Sequence, residues 1–492
     1  MGKFVTFPEL LLWLPLLGGV MAFFIKDLKK VRTWSLVIAL ATLGVSVASL
    51  FYADDTKYFL YNNVSYVWMK YLGSSFWVGL DGMGRMLTLL TAIAFPLIIA
   101  STAKHNFEKP NVFYGLMLLS QCGLMGVFVS MDALLFYFFW ELALIPVYFL
   151  SSRWGGERRI QATFKFFIYT FVASLVMLVG IMYVYQHTAA TQFSDHSFTL
   201  KAFYAVQLSP AEQGWLFWLF FFAFAVKMPV FPFHTWQPDT YEQSPYPVTM
   251  VLSGIMVKMG VFAVIRWVLP IFPDAILRFD NLVIGLSVAG MVYASCIAIV
   301  QDDLKRFIAY SSIAHIGLMA AAIFAANTIS LQGVMVQMFN HGINIIGLWI
   351  IVDIVEKKTG VRKISQLGGL AIKAPALAIF LVIIALANIG LPLTNGFVGE
   401  FAMFAGLYHF NAWFAAVAGL STILAAVYML NMIQKVFLGN EMTVSDEYKM
   451  LNGYDKLILS VIVLVIFFLG LFPKPLIQIV EGTVKEIIAR LS

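Results

Sequence analysis

Long apolar runs recur along almost the whole chain, separated by short polar or charged stretches. Each run has about 20 residues, enough to cross the ~30 Å hydrocarbon core of a membrane as an α-helix. The first run precedes the basic stretch KDLKKVR, the reverse of a cleaved signal peptide, and is therefore predicted to be a membrane helix. The pattern predicts an all-α polytopic membrane protein with about fourteen spans, at roughly residues 4–25, 32–52, 77–100, 111–130, 132–151, 160–185, 214–232, 247–270, 280–300, 305–325, 330–356, 374–404, 412–438 and 456–476.

Composition supports this prediction and removes several classes of function. Of the 492 residues, 61% are hydrophobic and 12% charged, against about 25% charged in soluble domains. The two cysteines, Cys122 and Cys296, lie in separate apolar runs, so this chain alone builds no iron–sulfur or structural zinc site. We interpret the net charge of +6 as basic membrane loops rather than as a nucleic-acid surface.

Basic residues fall into clusters that predict the orientation. The clusters follow odd-numbered spans, after spans 1, 3, 5, 9 and 11 in the series above, whereas the long connections after spans 2 and 6 carry few lysines or arginines for their length. Because positive loops stay in the cytoplasm, both chain termini are predicted on the non-cytoplasmic side.

Two spans contain helix-breaking residues in mid-run. Span 7 carries Pro229 and Pro232, and span 12 contains the sequence GLPLTNGF. Two interrupted segments five spans apart are typical of inverted-repeat transporters, with spans 4–8 and 9–13 as the two five-helix repeats. The predicted organisation is an N-terminal three-helix segment (1–110), a first repeat (111–270), a second repeat (271–440), and helix 14 with a tail (441–492).

Ionisable residues lie deep within six of the spans. At 1.5 Å per residue, the depths of these residues are about 14–20 Å, near the middle of the membrane. Each charge there costs about 2.5–3.5 kcal/mol, so four unpaired charges would cost on the order of 10 kcal/mol. They are therefore expected to face the bundle interior and to be paired or hydrated. The residues are Glu141, Lys227, Lys258, His315, His341 and Glu400.

Glu141 and Lys227 are opposite in charge and similar in depth, so we predict that they form a pair. Pro229 and Pro232 leave backbone carbonyls beside Lys227 without helical partners, which indicates a hydrated pocket. A carboxylate that moves relative to a buried lysine changes its proton affinity, so this pair can act as a proton switch.

The histidines have two interpretations each. His315 and His341 are individually compatible with hydrogen-bonded packing, but at matching depth on successive helices they favour a proton relay. His234, just after the break in span 7, is either a relay to one surface or a helix cap.

Several stretches together resemble a known family. WELALIPVYFL, FAVKMPVFPFHTWQPDTYEQSP, VLSGIMVKMGVF, YSSIAHIGLM, FNHGI and GLPLTNGFVGEF, in this order and spacing, resemble the antiporter-like membrane subunits of respiratory complex I, over essentially the whole chain. Glu400 stands where two of the sister subunits, and related subunits of sodium/proton antiporters, typically carry lysine.

The resemblance implies one proton pumped by this subunit in each cycle. It implies that Glu141 and Lys227 are the coupling pair, Lys258 the central relay, His315 and His341 bridging groups, and Glu400 the terminal proton carrier. It also implies a location in the bacterial plasma membrane between two other antiporter-like subunits, one L-like and one N-like. NADH, flavin, iron–sulfur clusters and the main quinone site would belong to partner subunits, so this chain is expected to hold no cofactor.

Two other functions share the buried charged layer. A subunit of a multisubunit sodium/proton antiporter involves no redox chemistry, and Glu400 argues against it, as does the lack of an extra carboxylate cluster suited to Na⁺. A membrane subunit of an energy-converting hydrogenase or formate hydrogenlyase is the third alternative.

Overall fold

The computed structural model describes residues 5–52, 62–192, 194–439 and 451–491, and α-helices dominate this part of the chain. The first twelve helices are α1 Phe7–Ala22, α2 Leu28–Leu50, α3 Gly82–Ser101, α4 Pro110–Val129, α5 Ala133–Trp154, α6 Arg159–Gln186, α7 Leu200–Ala205, α8 Pro210–Lys227, α9 Trp236–Gln243, α10 Tyr246–Val251, α11 Val257–Ala263 and α12 Leu269–Ile271. The remaining helices are α13 Pro273–Val300, α14 Leu304–Phe324, α15 Thr328–Thr359, α16 Leu370–Lys373, α17 Pro375–Asn388, α18 Asn395–Phe410, α19 Ala412–Ile433, α20 Gly453–Leu471 and α21 Lys474–Leu491.

The fold divides into two compact units. The first comprises the described residues within Met1–Met228, Ile255–Asp280 and Gln478–Ser492. The second comprises the described residues within Pro229–Gly254 and Asn281–Ile477. In the first unit α4 packs against α1 and α5, and in the second α15 packs against α14 and α18.

Eleven helices in the described part of the chain are long and apolar enough to cross a membrane. They correspond to eleven of the predicted spans. The other three predicted spans coincide with the short apolar helix α1, with α8, and with the interrupted pair α17 and α18. Apolar side chains at helical spacing cover the outer face of α6, including Phe164, Ile168, Val172 and Val179, as expected for a surface that faces lipid or another subunit.

The sequence analysis missed a β-hairpin. Strands β1 Asn62–Met69 and β2 Ser74–Leu80 pair antiparallel, with Tyr66 opposite Phe76. The predicted third span, 77–100, was therefore wrong at its start, because β2 continues to Leu80 and Asp81 then caps α3 by accepting from the Gly84 amide at 2.7 Å. The predicted tail after helix 14 is also helical: α21 is amphipathic, with Val480, Val484 and Ile487 buried.

Both segments with predicted breaks are interrupted. Helix α8 begins at a capping box, in which Ser209 and Glu212 exchange hydrogen bonds, and it ends at Lys227. The Met228 amide makes the last helical bond, to the Phe224 carbonyl at 2.8 Å, before the turns that precede α9. Helix α17 ends at Asn388, and six residues separate it from α18.

Candidate functional site

Lys227 lies at the C-terminal end of α8 inside the first unit and is 1% exposed. Its ammonium nitrogen has no hydrogen-bond partner among the described residues. The nitrogen instead lies 5.5 Å from the ring centre of Trp140 and 5.8 Å from that of Phe166. Aromatic faces attract a cation, but they do not replace the hydrogen bonds that it loses on burial. The buried ammonium of Lys227 therefore lacks, among the described residues, the hydrogen bonds that would offset its burial.

Glu141 occupies α5, one residue after Trp140, and interacts electrostatically with Lys227. Ser174 of α6 lies near both Glu141 and Tyr137, and its hydroxyl donates to the Phe171 carbonyl at 2.8 Å. One carboxylate oxygen of Glu141 has no hydrogen-bond partner in the part of the chain that the structure describes. Glu141 and Lys227 thus interact electrostatically, and among the described residues no hydrogen bond joins them.

Lys258 is fully buried in α11. Two π-helical turns, Leu252–Met256 and Val264–Val268, flank this short helix, and π-helical turns are frequent at functional positions. α11 packs directly on the end of α8, because a Cβ added at Gly260 would lie 2.7 Å from the carbonyl oxygen of Phe224. The helix that carries Lys258 therefore rests on the one that ends in Lys227.

The second unit brings together His315, His341 and Glu400, which are 8%, 1% and 6% exposed. Nδ1 of His315 lies 3.3 Å from a carboxylate oxygen of Glu400, and the His315 and His341 rings are 5.3 Å apart. The Gln337 amide donates to the same carboxylate oxygen at 3.3 Å. Three of the sequence-derived residues thus form one cluster on α14, α15 and α18.

The break between α17 and α18 shapes the space around Glu400. Gly390 has φ +72°, and a Cβ there would lie 2.4 Å from the other carboxylate oxygen of Glu400. Only glycine combines this backbone angle with the absence of a side chain. Beside the carboxylate is a cavity of about 20 Å³, enough for one water molecule. Its lining includes His315, Glu400, Tyr428, Ser421 and Thr422.

His234 lies just before α9, in the second unit, and is 3% exposed. Its ring packs near those of Phe231 and Tyr293, at centroid distances of 5.7 and 5.4 Å.

A buried ion pair in the first unit was missed by the sequence analysis. The Arg266 guanidinium lies 2.8 Å from the Asp81 carboxylate, and the side chains are 2% and 0% exposed. Thr483 of α21 donates to the same carboxylate at 3.3 Å, and Tyr204 donates to the Arg266 carbonyl at 2.8 Å. The available signal was the stretch FAVIRWVLPIF, which encloses Arg266 in apolar residues on both sides.

Lys305 and Arg306 form the basic cluster after span 9, which was used above only to predict orientation, and both contact α9. Nζ of Lys305 donates to the carbonyls of Glu242 and Ser244, at 3.3 and 3.1 Å, where α9 ends. Arg306 and Arg362 form ion pairs with the Glu242 carboxylate, at 3.0 and 3.2 Å. These contacts fix α9, the short helix that follows the first break.

Among the described residues there is no group of three or more histidine, cysteine or acidic side chains that could hold a metal ion. Cys122 is buried and Cys296 exposed, and both are free thiols.

Known proteins are similar to this chain over nearly its whole length. The family described as "NADH:quinone oxidoreductase/Mrp antiporter, TM" matches residues 130–426. NADH-quinone oxidoreductase subunit M of Rickettsia typhi is 35% identical over 494 residues, 97% of this chain and 98% of that protein. F(420)H(2) dehydrogenase subunit M of Methanosarcina mazei is 34% identical over 487 residues, 98% of each.

A chain of the respiratory complex I structure from Thermus thermophilus is similar in fold, with a TM-score of 0.87 and 28% identity over 98% of this chain and 99% of that one. Long apolar helices, two interrupted segments and buried charges define a multi-pass membrane protein built like a transporter. The chain belongs to the NADH:quinone oxidoreductase/Mrp antiporter family, as an antiporter-like membrane subunit of the subunit M type.

Proposed function

We propose that this chain is a proton-translocating membrane subunit of NADH:quinone oxidoreductase, driven by quinone reduction elsewhere in the complex. The observation that carries the proposal is the series of buried ionisable side chains in the spans of a chain of this family. Such residues are expensive in a membrane, and a chain that retains them in several helices uses them.

Lys227 is the switch in this proposal. Its ammonium is enclosed by aromatic rings without a hydrogen bond, so the electrostatic interaction with Glu141 is the main support for the charged form. When a conformational signal moves the carboxylate away, the lysine releases its proton, and when the carboxylate returns, the lysine takes up another. Lys258 then serves as the central relay on the adjoining helix.

Glu400 is the terminal proton carrier. His315 and His341 are the bridging groups beside it: the His315 imidazole contacts the Glu400 carboxylate, and the His341 ring lies beside that imidazole. The small cavity at the carboxylate supplies a place for a water molecule that connects it to further hydroxyl groups. His234 remains a candidate relay on the basis of its position after the first break.

The proposed architecture has fourteen spans and two inverted five-helix repeats, spans 4–8 and 9–13, within residues 111–270 and 271–440. The interrupted segments, at α8 and at α17 and α18, support it. Both termini lie outside the cytoplasm of a bacterial cell, and the chain lies in the plasma membrane between L-like and N-like subunits. Flavin and iron–sulfur clusters lie in partner subunits.

The electron donor has a second candidate. The match to the M subunit of an F(420)H(2) dehydrogenase is as extensive as the match to NADH-quinone oxidoreductases, so reduced F420 is a specific alternative to NADH. A sodium/proton antiporter or a hydrogenase is distinguished from both by enzyme assay, because neither oxidises NADH with a quinone.

The test is to purify the complex that contains this chain, reconstitute it in vesicles, and measure donor oxidation, quinone reduction and proton uptake together. We expect NADH-dependent quinone reduction with proton transport, and strong loss of both in assembled Lys227→Ala and Glu141→Ala complexes. Lys201→Ala, an exposed lysine, is the matched control and should behave as wild type. Full proton pumping by the assembled Glu141→Ala complex would contradict the proposed role of Glu141 and Lys227 as a switch. Hydrogen evolution or Na⁺ exchange without NADH oxidation would contradict the proposed function itself.

A further inference from the structure

His315 lies between the two halves of the second interrupted segment. Nδ1 of its ring faces Glu400, on α18 after the break, at 3.3 Å. Nε2 faces the amide of Asn388, at 3.2 Å, and Asn388 is the last residue of α17 before the break. One imidazole therefore contacts both halves, and its second contact is an uncharged amide that the relay does not use.

Asn388 is itself held in place by hydroxyl groups. Its amide nitrogen also donates to the Ser311 hydroxyl at 3.2 Å, and that hydroxyl lies 3.0 Å from the Tyr428 hydroxyl. All three side chains are buried: Asn388 is 3% exposed, Ser311 0% and Tyr428 1%. A buried polar chain of this kind fixes the orientation of each member, because a lost partner leaves a costly unsatisfied group.

The direction of these bonds sets the chemistry of the ring. An amide nitrogen is a donor only, so when it bonds Nε2 the neutral imidazole carries its proton on Nδ1. Nδ1 is the atom that faces Glu400. The neutral ring keeps this proton, because losing it would leave an imidazolate, and it donates an Nδ1–H hydrogen bond that holds the Glu400 carboxylate beside the cavity through which Glu400 exchanges its proton with water.

We propose that Asn388 is a positioning residue that holds His315 with its Nδ1–H on the Glu400 carboxylate, so that Glu400 stays in place for proton transfer, and that Ser311 and Tyr428 hold Asn388 for that role. The inference rests on the proposed proton-transfer function and adds the group that selects the tautomer of the histidine. It also gives a role to the interruption between α17 and α18, since Asn388 is the last residue of α17 and contacts the His315 ring there.

The test is a double-mutant cycle on the assembled complex, read as protons transported per quinone reduced. Asn388→Ala is expected to lower this ratio by up to the one proton per cycle that this subunit contributes, and His315→Ala to lower it at least as much. In the His315→Ala background, Asn388→Ala should cause no further loss, because the residue acts only through the ring. Losses that multiply would show general structural damage and overturn the inference.

A pair of neighbouring serines provides the matched control. Ser311→Ala removes the hydroxyl that holds Asn388 and should lower the ratio. Ser312→Ala removes a buried hydroxyl that has no hydrogen-bond partner among the described residues, and it should leave the ratio unchanged. Equal losses in both would assign the effect to packing and overturn the inference. A His315→Ala complex with an unchanged ratio would contradict the proposed relay itself, while loss in His315→Ala alone would overturn only the role of Asn388.

Discussion

The buried pair of Asp81 and Arg266 gives a stability prediction that is independent of proton transport. The charged groups are 2.8 Å apart and almost fully removed from solvent. Breaking a buried ion pair by removing one partner costs about 3–5 kcal/mol, since the other charge is left without compensation. Replacing both partners removes that penalty, so the double variant should be more stable than the sum of the single losses predicts.

The two single variants should differ. Arg266→Met leaves the Asp81 carboxylate with the Gly84 amide and the Thr483 hydroxyl as donors, at 2.7 and 3.3 Å. Asp81→Asn preserves a good helix cap and an oxygen beside the guanidinium, but it removes the negative charge, so the buried cation is left beside neutral groups that include the Phe262 ring and the Met131 sulfur. Asp81→Asn should therefore be the more destabilising of the two, toward the upper end of that range.

The assay is thermal disassembly of the purified complex, together with the amount of complex assembled in membranes, for both singles and for Asp81→Asn with Arg266→Met. The account expects low midpoints for both singles and partial recovery in the double. If the two losses simply add, or if neither single lowers the midpoint, the pair does not contribute through its charges and this reasoning is wrong.

Three further variants follow from close contacts. Gly390→Ala should strain the backbone and displace the Glu400 carboxylate, and so lower proton pumping per assembled complex. The control is Gly360→Ala, where φ is +69° and the space is open, so the variant should lose only the ~1–2 kcal/mol of stability that a left-handed residue costs. Equal pumping by the two variants would contradict the contact between Gly390 and Glu400. Gly260→Ala should separate α11 from α8 and reduce both assembly and quinone reduction, as measured on native gels and by activity, and wild-type behaviour would refute that close packing. Glu242→Gln removes the two ion pairs that join α9 to Arg306 and Arg362, and it should slow quinone reduction without abolishing assembly. An unchanged turnover rate would show that these ion pairs are not required to hold α9 in place.

Apolar run length was the strongest signal in the sequence. It located the helices because a membrane helix must satisfy its own backbone bonds over about 20 residues. The same rule placed the start of the third span too early, since FWVGL is apolar but belongs to β2, and Asp81 is the residue that ends the strand and begins the helix. A hydropathy pattern does not register a capping residue inside an apolar run.

The charged members of the candidate site were also accessible from the sequence. Glu400, Lys227 and Lys258 stand out because a charge in an apolar run has a high cost. Asn388 and Ser311 did not stand out, since an amide or hydroxyl in a membrane helix is common and its importance depends on which side chain it meets. That meeting depends on where α17 ends, which only the three-dimensional fold shows.

The most direct test of the central claim is the number of protons moved per quinone reduced by the Glu400→Gln complex. Glutamine keeps the size of the side chain and an oxygen that accepts from the Gln337 amide, but it cannot carry a proton. Glu481→Gln, on α21, is the control at a partly exposed glutamate. The account predicts an assembled Glu400→Gln complex with a clearly lowered ratio and a control equal to wild type; an unchanged ratio in the Glu400→Gln complex would contradict it.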